Sequence, residues 1–191
     1  MPWLFLTLAF ALCLLCSALG FKRVEYFVSL GYAASIAAQA IVFSLLYWDT
    51  IRDLALLQSV LLLAYGLRLG SFIALRMRVP SFQKQQAENR ARGVKVSGLF
   101  KVAIWAGASL FYVLLFLPAL HTMSAQADGL ALSSAPVGLV LMVAGLGLEA
   151  CADWQKSRFK RHSPSRFCDT GLFSVVRFPN YFGEMLFWLG L

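Results

Sequence analysis

Long apolar stretches separated by short polar connections dominate the hydropathy pattern of this chain. Five of them are long enough to cross the roughly 30 Å hydrocarbon layer of a bilayer as helices. They are Pro2–Leu19, Phe27–Trp48, Leu54–Leu75, Leu99–Leu120 and Ser134–Ala152. Another apolar stretch begins at Tyr181 and is cut off at Leu191. The pattern predicts an all-α transmembrane bundle of five spans plus the start of a sixth, as a single membrane domain over residues 1–191.

Composition agrees with a membrane protein. Of the 191 residues, 60% are hydrophobic, which is more apolar surface than one soluble core can hide. The segment Met1–Phe10 contains no Lys or Arg, so we expect a retained first helix and not a cleaved signal. The four cysteines lack the spacing of metal ligands, and we therefore predict no metal site.

The basic residues are concentrated in every second connection between the predicted spans. All of the 17 Lys and Arg residues except Arg52 and Arg68 lie in the first, third and fifth connections. The positive-inside rule then predicts an external amino terminus and places these connections in the cytoplasm. The net charge of +8 is thus explained by topology, which disfavours nucleic acid as a partner. We expect the protein to lie in the lipid bilayer of a bacterial inner membrane, or in the membrane of the endoplasmic reticulum if the organism is a eukaryote.

Arg68 is a cation inside the third predicted span, between Gly66 and Gly70. A charge within a span needs a partner or a function, although a long side chain can also snorkel to the membrane surface near Arg76. Both interpretations stay open from the sequence. Gly66 and Gly70 form a small-xxx-small pair, which indicates close helix packing.

A charged row continues the fifth span beyond the membrane. Glu149, Asp153, Lys156 and Lys160 are separated by offsets that return to one side of a helix. A solvated helix end with internal ion pairs would explain the two lysines. It explains Glu149 less well, because this residue lies within the apolar run.

A second polar group precedes the last apolar stretch. Pro179 suits the first turn of a helix, on which Asn180, Tyr181 and Glu184 share one side and Arg177 lies near the start. Capping could explain Asn180, and interfacial anchoring could explain Tyr181. Neither explains Glu184, so the group predicts a site for a polar ligand.

The segment Gly171–Glu184 ends in RFPNYFGE and resembles the RHPNYxGE signature of the steroid 5-alpha-reductase-like family, specifically its bacterial DUF1295 branch. The segments LEACADWQK at 148–156 and YGLRLG at 65–70 agree with this resemblance. It covers roughly residues 54–191, with the cofactor-site motifs within 149–184.

The resemblance implies an enzyme that uses NADPH to reduce a carbon–carbon double bond conjugated to a carbonyl, in a lipophilic steroid-like or isoprenoid-like substrate. It also implies which positions hold the cofactor: Glu149, Asp153, Lys156, Lys160, Arg177, Asn180, Tyr181 and Glu184. Members of the family polarise the substrate carbonyl with a Tyr and an acidic group on amino-terminal helices. The candidates here are Glu25, Tyr26, Tyr32, Tyr47 and Tyr65, and the sequence assigns none of them.

Two features depart from the family pattern. Phe178 stands where the signature usually has His, and the family continues past Leu191, so we expect a carboxyl-terminally truncated member. An S-adenosylmethionine-dependent methyltransferase of the isoprenylcysteine or phospholipid type is one alternative, and an inactive membrane scaffold is another. The pairing of Asn180 with Glu184, preceded by GLF at 171–173, favours the reductase. The substrate and the oligomeric state stay open.

Overall fold

A computed structural model describes residues 3–92, 96–130 and 135–191. This part of the chain is all-helical, with 81% helix and no strand. The helices are α1 (Trp3–Ser17), α2 (Leu30–Leu46), α3 (Asp53–Arg76), α4 (Pro80–Arg92), α5 (Gly98–Ala127), α6 (Ala135–His162), α7 (Leu172–Val175) and α8 (Pro179–Leu189). Two 3₁₀ turns, Ala18–Phe21 and Val24–Tyr26, lie between α1 and α2.

The predicted fold class is confirmed. Within the described residues, α1, α2, α3, α5 and α6, the first two extended by the adjoining 3₁₀ turns, are long and apolar enough to cross a membrane. Helices α5 and α6 run well past the predicted ends of their spans, to Ala127 and His162. The apolar pattern marks where contact with lipid ends, whereas the backbone hydrogen bonds of a helix can continue into polar sequence.

Helix α4 was not predicted, because it lies in the third, basic connection. Pro80 occupies its start, where a missing N–H costs nothing, and the Gln, Lys, Ala, Glu and Arg residues that follow are good helix formers. Where the chain turns from α3 into α4, the guanidinium of Arg76 lies 4.6 Å from the ring centroid of Phe82. A cation–π contact therefore joins the two helices.

The contacts divide the chain into two compact units, Met1–Ala131 and Leu132–Leu191. The first unit contains α1 to α5, and the second contains α6 to α8. The single membrane domain expected over residues 1–191 stays a prediction.

Helix α2 is the centre of the first unit and contacts α1, α3 and α5. Ile36 and Phe43 on this helix are fully buried. Gly66 of α3 lies directly against α2: a Cβ atom there would be 2.7 Å from the carbonyl oxygen of Ala33 and 2.9 Å from the Cβ of Ala37. The prediction that Gly66 permits close helix packing is confirmed.

Side-chain hydrogen bonds also join the helices of the first unit. The hydroxyls of Ser17 and Ser109 lie 2.9 Å apart, and the indole N–H of Trp105 donates to the carbonyl of Leu14 at 2.9 Å. Tyr112 donates to the carbonyl of Phe27 at 2.8 Å. Each bond connects α5 to α1 or to the turn before α2. A polar group in an apolar medium that finds such a partner avoids a large desolvation cost.

We predict that Gly66→Ala destabilises the protein, whereas Gly107→Ala does not. The methyl group added at position 66 would press on the backbone of α2, which typically costs about 1–3 kcal/mol. Gly107 lies on α5 with open space around its Cβ position, so alanine there gains up to about 1 kcal/mol of helix propensity. Thermal unfolding of the two variants in the same detergent compares them. Equal unfolding temperatures would contradict this description of the α2–α3 contact.

Candidate functional site

Helices α6 and α8 of the second unit pack closely through glycines. Gly138 lies against Gly190, and a Cβ atom on Gly145 would be 2.6 Å from the carbonyl oxygen of Gly183. A Cβ on Gly183 would in turn be 2.6 Å from the backbone nitrogen of Glu149. Later residues of α6 thus meet earlier residues of α8, so the two helices are antiparallel and nearly in backbone contact.

Two carboxylates lie at this contact. Glu149 and Asp153 are one turn apart on α6, and only 4% and 6% of their surfaces are exposed. The antiparallel register brings the first turn of α8, with Asn180, beside the turn of α6 from Glu149 to Asp153. The register therefore places the turns that carry these residues level with one another, and a shared site for Glu149, Asp153 and Asn180 stays a prediction.

The start of α8 decides between two explanations for Asn180. Pro179 occupies the first turn, as predicted, and the capping position belongs to Phe178, whose side chain makes no capping hydrogen bond. Asn180 is inside the helix, so the explanation by capping is wrong. Its Oδ1 atom is buried and accepts no hydrogen bond from any described residue. A buried acceptor of this kind needs a donor from a ligand or a solvent molecule.

The charged row on α6 divides into two parts. Its acidic half, Glu149 and Asp153, is buried, while Lys160 at its basic end contacts the loop that follows the helix. Lys160 donates from Nζ to the carbonyl of Pro164 at 3.0 Å and also to the carbonyl of Arg166. Lys156 is half-buried. The ammonium group of Lys160 thus closes the loop after α6.

The remaining residues of the predicted site are distributed around α8. Glu184 is half-buried, whereas Arg177 is exposed and its guanidinium lies 5.3 Å from the ring centroid of Phe178. Tyr181 is 60% exposed and packs edge-on against Phe178, with ring centroids 5.8 Å apart. The exposure of Tyr181 agrees with the interfacial anchor considered from the sequence.

Sequence analysis did not identify a groove on another side of α6. It has a volume of about 480 Å³. Its walls are formed by Trp154, Gln155, Arg158, Phe159, His162, Ser163, Thr170 and Gly171. The signal was present, because Trp154, Arg158 and His162 recur every four residues and so share one side of the helix.

One hydrogen bond builds the far wall of this groove. Gln155 accepts from the backbone N–H of Leu172 at 2.9 Å, which ties the start of α7 to α6. Gly171, just before α7, has a φ of +61°, and a Cβ there would be 2.5 Å from Oε1 of Gln155. Glycine is therefore required at this turn both for its backbone angle and for space.

Among the residues considered for polarising a carbonyl, Tyr32 and Tyr65 lie together in the first unit. Their hydroxyl oxygens are 2.9 Å apart, and Tyr65 is fully buried. The guanidinium of Arg68 is 6.0 Å from the ring centroid of Tyr65, and its Nε and Nη2 atoms are buried. Two of the three nitrogen atoms of the Arg68 side chain are therefore shielded from the surface.

Comparison with protein families now identifies the chain. The sequence model of the family described as "Protein of unknown function (DUF1295)" matches residues 21–191. The chain belongs to the DUF1295 family. The match confirms the expected family and extends the related region from residue 54 back to residue 21, so that it includes α2 with Tyr32. No curated protein and no solved structure matches the chain.

We predict that Gly183→Ala disturbs this DUF1295 site, whereas Gly147→Ala does not. The added methyl group would collide with the backbone of α6 at Gly145 and Glu149 and push α8 away, at a cost of about 1–3 kcal/mol. Gly147 has open space at its Cβ position on the same helix pair. Thermal unfolding and protease sensitivity of the last helix report the difference. An unchanged Gly183→Ala variant would disprove the close α6–α8 contact.

Proposed function

We propose that this DUF1295 protein is a membrane reductase that uses NADPH to reduce a carbon–carbon double bond conjugated to a carbonyl in a lipophilic, steroid-like or isoprenoid-like substrate. One observation carries the proposal: the Oδ1 atom of Asn180 is buried without a partner among the described residues, on a turn of α8 that the helix register places level with the buried Glu149 and Asp153 of α6. Membership of the family and the five membrane-length helices of the described chain support it.

The residues present fit the cofactor. NADPH carries N–H donors on its carboxamide and O–H donors on its riboses, and Asn180 Oδ1, Glu149 and Asp153 are acceptors for such groups. Its phosphates need cations, for which we propose Arg177 and Lys156. Lys160, the third basic residue of the predicted set, already donates to the carbonyls of Pro164 and Arg166. Tyr181 and Glu184 complete the proposed set. The close contact at Gly183 joins the two helices that carry Glu149, Asp153 and Asn180.

The reaction needs a hydride, a proton and an activated carbonyl. When bound, NADPH would supply a hydride to the β-carbon of the enone, and the α-carbon would take a proton from water, so that the products are NADP⁺ and the saturated ketone. The protein must stabilise negative charge on the carbonyl oxygen with a hydrogen-bond donor. The hydroxyls of Tyr32 and Tyr65, which lie 2.9 Å apart in the first unit, are the candidates that we test for that role.

The charge pattern suggests the orientation. The first, third and fifth connections carry nearly all of the Lys and Arg residues, and we place them in the cytoplasm, with the amino terminus outside. This orientation puts the polar end of α6 on the side where NADPH is available. A bacterial inner membrane is the location we favour.

We predict that NADPH raises the unfolding temperature of the purified protein, and that Asn180→Ala and Glu184→Ala weaken its binding about tenfold each. Loss of a hydrogen bond to a charged or buried group costs about 1.5–3 kcal/mol, which corresponds to roughly tenfold or more. A ligand stabilises the folded state according to its concentration relative to Kd, so a thermal titration gives the affinity. Glu88→Ala, on the exposed surface of α4, is the matched control.

Other ligands distinguish the alternatives in the same titration. Stabilisation by S-adenosylmethionine alone would indicate that the protein is a methyltransferase and not a reductase. Stabilisation by neither compound would favour the inactive membrane scaffold.

We further predict that Tyr65→Phe lowers the rate of enone reduction by about 10²-fold while NADPH binding is unchanged. Removal of one donor to a developing oxyanion has an effect of about this size. Tyr47→Phe, just past the opposite end of α2 from Tyr32, is the control and should keep full activity. Deuterium transfer from C4-labelled NADPH to a steroid-like or isoprenoid-like enone, followed by mass spectrometry, measures the reaction. An active Tyr65→Phe variant would remove Tyr65 from the mechanism.

A further inference from the structure

A second row of side chains on α6 lies opposite the acidic row. This second row contains Trp154, Arg158 and His162, and the first contains Glu149, Asp153, Lys156 and Lys160. At 100° per residue, the mean directions of the two rows differ by about 170° around the helix axis. They line the 480 Å³ groove, and a smaller adjoining groove of about 230 Å³ adds Ser157 and Arg161. Since the proposed cofactor residues face the other way, this groove has no role in the reductase proposal.

The groove begins where the membrane-spanning part of α6 ends. The apolar run stops at Ala152, and Trp154, two residues later, is 61% exposed. Tryptophan at the end of a span is typical of the boundary between hydrocarbon and headgroups. Arg158 follows one turn later, about 6 Å further along the axis at 1.5 Å per residue. Phe167 of the following loop is also exposed. Trp154 thus lies at the membrane end of the groove, and the cationic Arg158 lies one turn further from the membrane.

The polar groups of the groove are arranged to bind an anion. The guanidinium of Arg158 lies 5.5 Å from the ring centroid of Trp154, a cation–π contact that holds it in place. Nδ1 of His162 is 3.2 Å from the carbonyl oxygen of Arg158, which leaves Nε2 for a ligand. Hydroxyls of Ser163 and Thr170 line the same space. In the described chain, no carboxylate lines either groove.

Neighbouring cations are already engaged. Lys160 donates to two loop carbonyls, and Arg166 forms an ion pair with Asp169 at 3.3 Å. Those contacts fold the loop that forms the far wall. Arg158 and Arg161 are the guanidinium groups that face the grooves, and guanidinium groups suit the geometry of phosphate oxygens.

We propose that this groove binds the phosphate of an anionic phospholipid, with the headgroup on Arg158 and His162 and the acyl chains along the exposed apolar face of α6. A volume of about 480 Å³ is in the range of small-molecule sites and accommodates a phosphoglycerol headgroup. The interfacial Trp154 favours a lipid over a free phosphate, because the ligand must then approach from the membrane. Basic pockets at the ends of membrane helices bind such lipids through the same chemistry.

Native mass spectrometry of the full chain, released from nanodiscs that contain phosphatidylcholine with about 20% phosphatidylglycerol, tests the proposal. We expect retained phosphatidylglycerol on the wild-type protein. We expect about tenfold less on Arg158→Gln and a partial loss on Arg158→Lys, which keeps the charge but not the planar fork. Lys84→Gln removes one exposed charge from α4 and should retain lipid normally. Thermal unfolding verifies that each variant is folded.

The other arms separate the possible sources of the phosphate. Inorganic phosphate and NADPH are titrated into the same variants in phosphatidylcholine alone. Weaker NADPH binding in Arg158→Gln, with lipid retention unchanged, would assign the groove to the cofactor and overturn the proposal. Equal lipid loss in Arg158→Gln and Lys84→Gln would show that lipid retention depends on the overall surface charge and not on the groove, which would also overturn the proposal. Loss of lipid by Arg158→Gln, with NADPH binding equal to that of the wild-type protein, supports the proposal. This outcome does not depend on the reductase proposal, because it also applies if the wild-type protein binds no NADPH.

Discussion

Helices in a hydrocarbon layer gain little by burying apolar side chains against one another, because lipid is equally apolar. They associate through close van der Waals packing and through polar groups that find partners. Both compact units of this protein depend on that constraint. In the first unit, Gly66 allows the backbone of α2 to approach α3 closely. In the second unit, Gly145 and Gly183 bring α6 and α8 nearly into backbone contact. The candidate site exists because its two helices can approach this closely.

The second unit separates two kinds of chemistry around one helix. Acceptors collect where α6 meets α8, and cations with an aromatic ring collect on the far side, above the end of the membrane span. A carboxylate in the basic groove would neutralise its cations. The helical repeat keeps the two sets apart although they overlap in sequence.

The spans could be predicted because hydrocarbon imposes a length and a composition that are visible in any window of the sequence. The packing role of Gly66 and the first-turn position of Pro179 followed from local chemistry in the same way. Helix α4 was missed because a polar helix in a connection has no apolar period. The groove was missed because Gly171 and Thr170 reach Trp154 only through the fold of the loop, which depends on the bond between Gln155 and Leu172.

Helix α6 runs without interruption from Ala135 to His162, a distance of about 40 Å at 1.5 Å per residue. It therefore behaves as one stiff rod with a different chemical surface on each side. Because both surfaces belong to the same helix, a rotation of the helix about its axis displaces both of them, in opposite directions. A change at the glycine contact that turns the helix therefore also turns the groove on its far side.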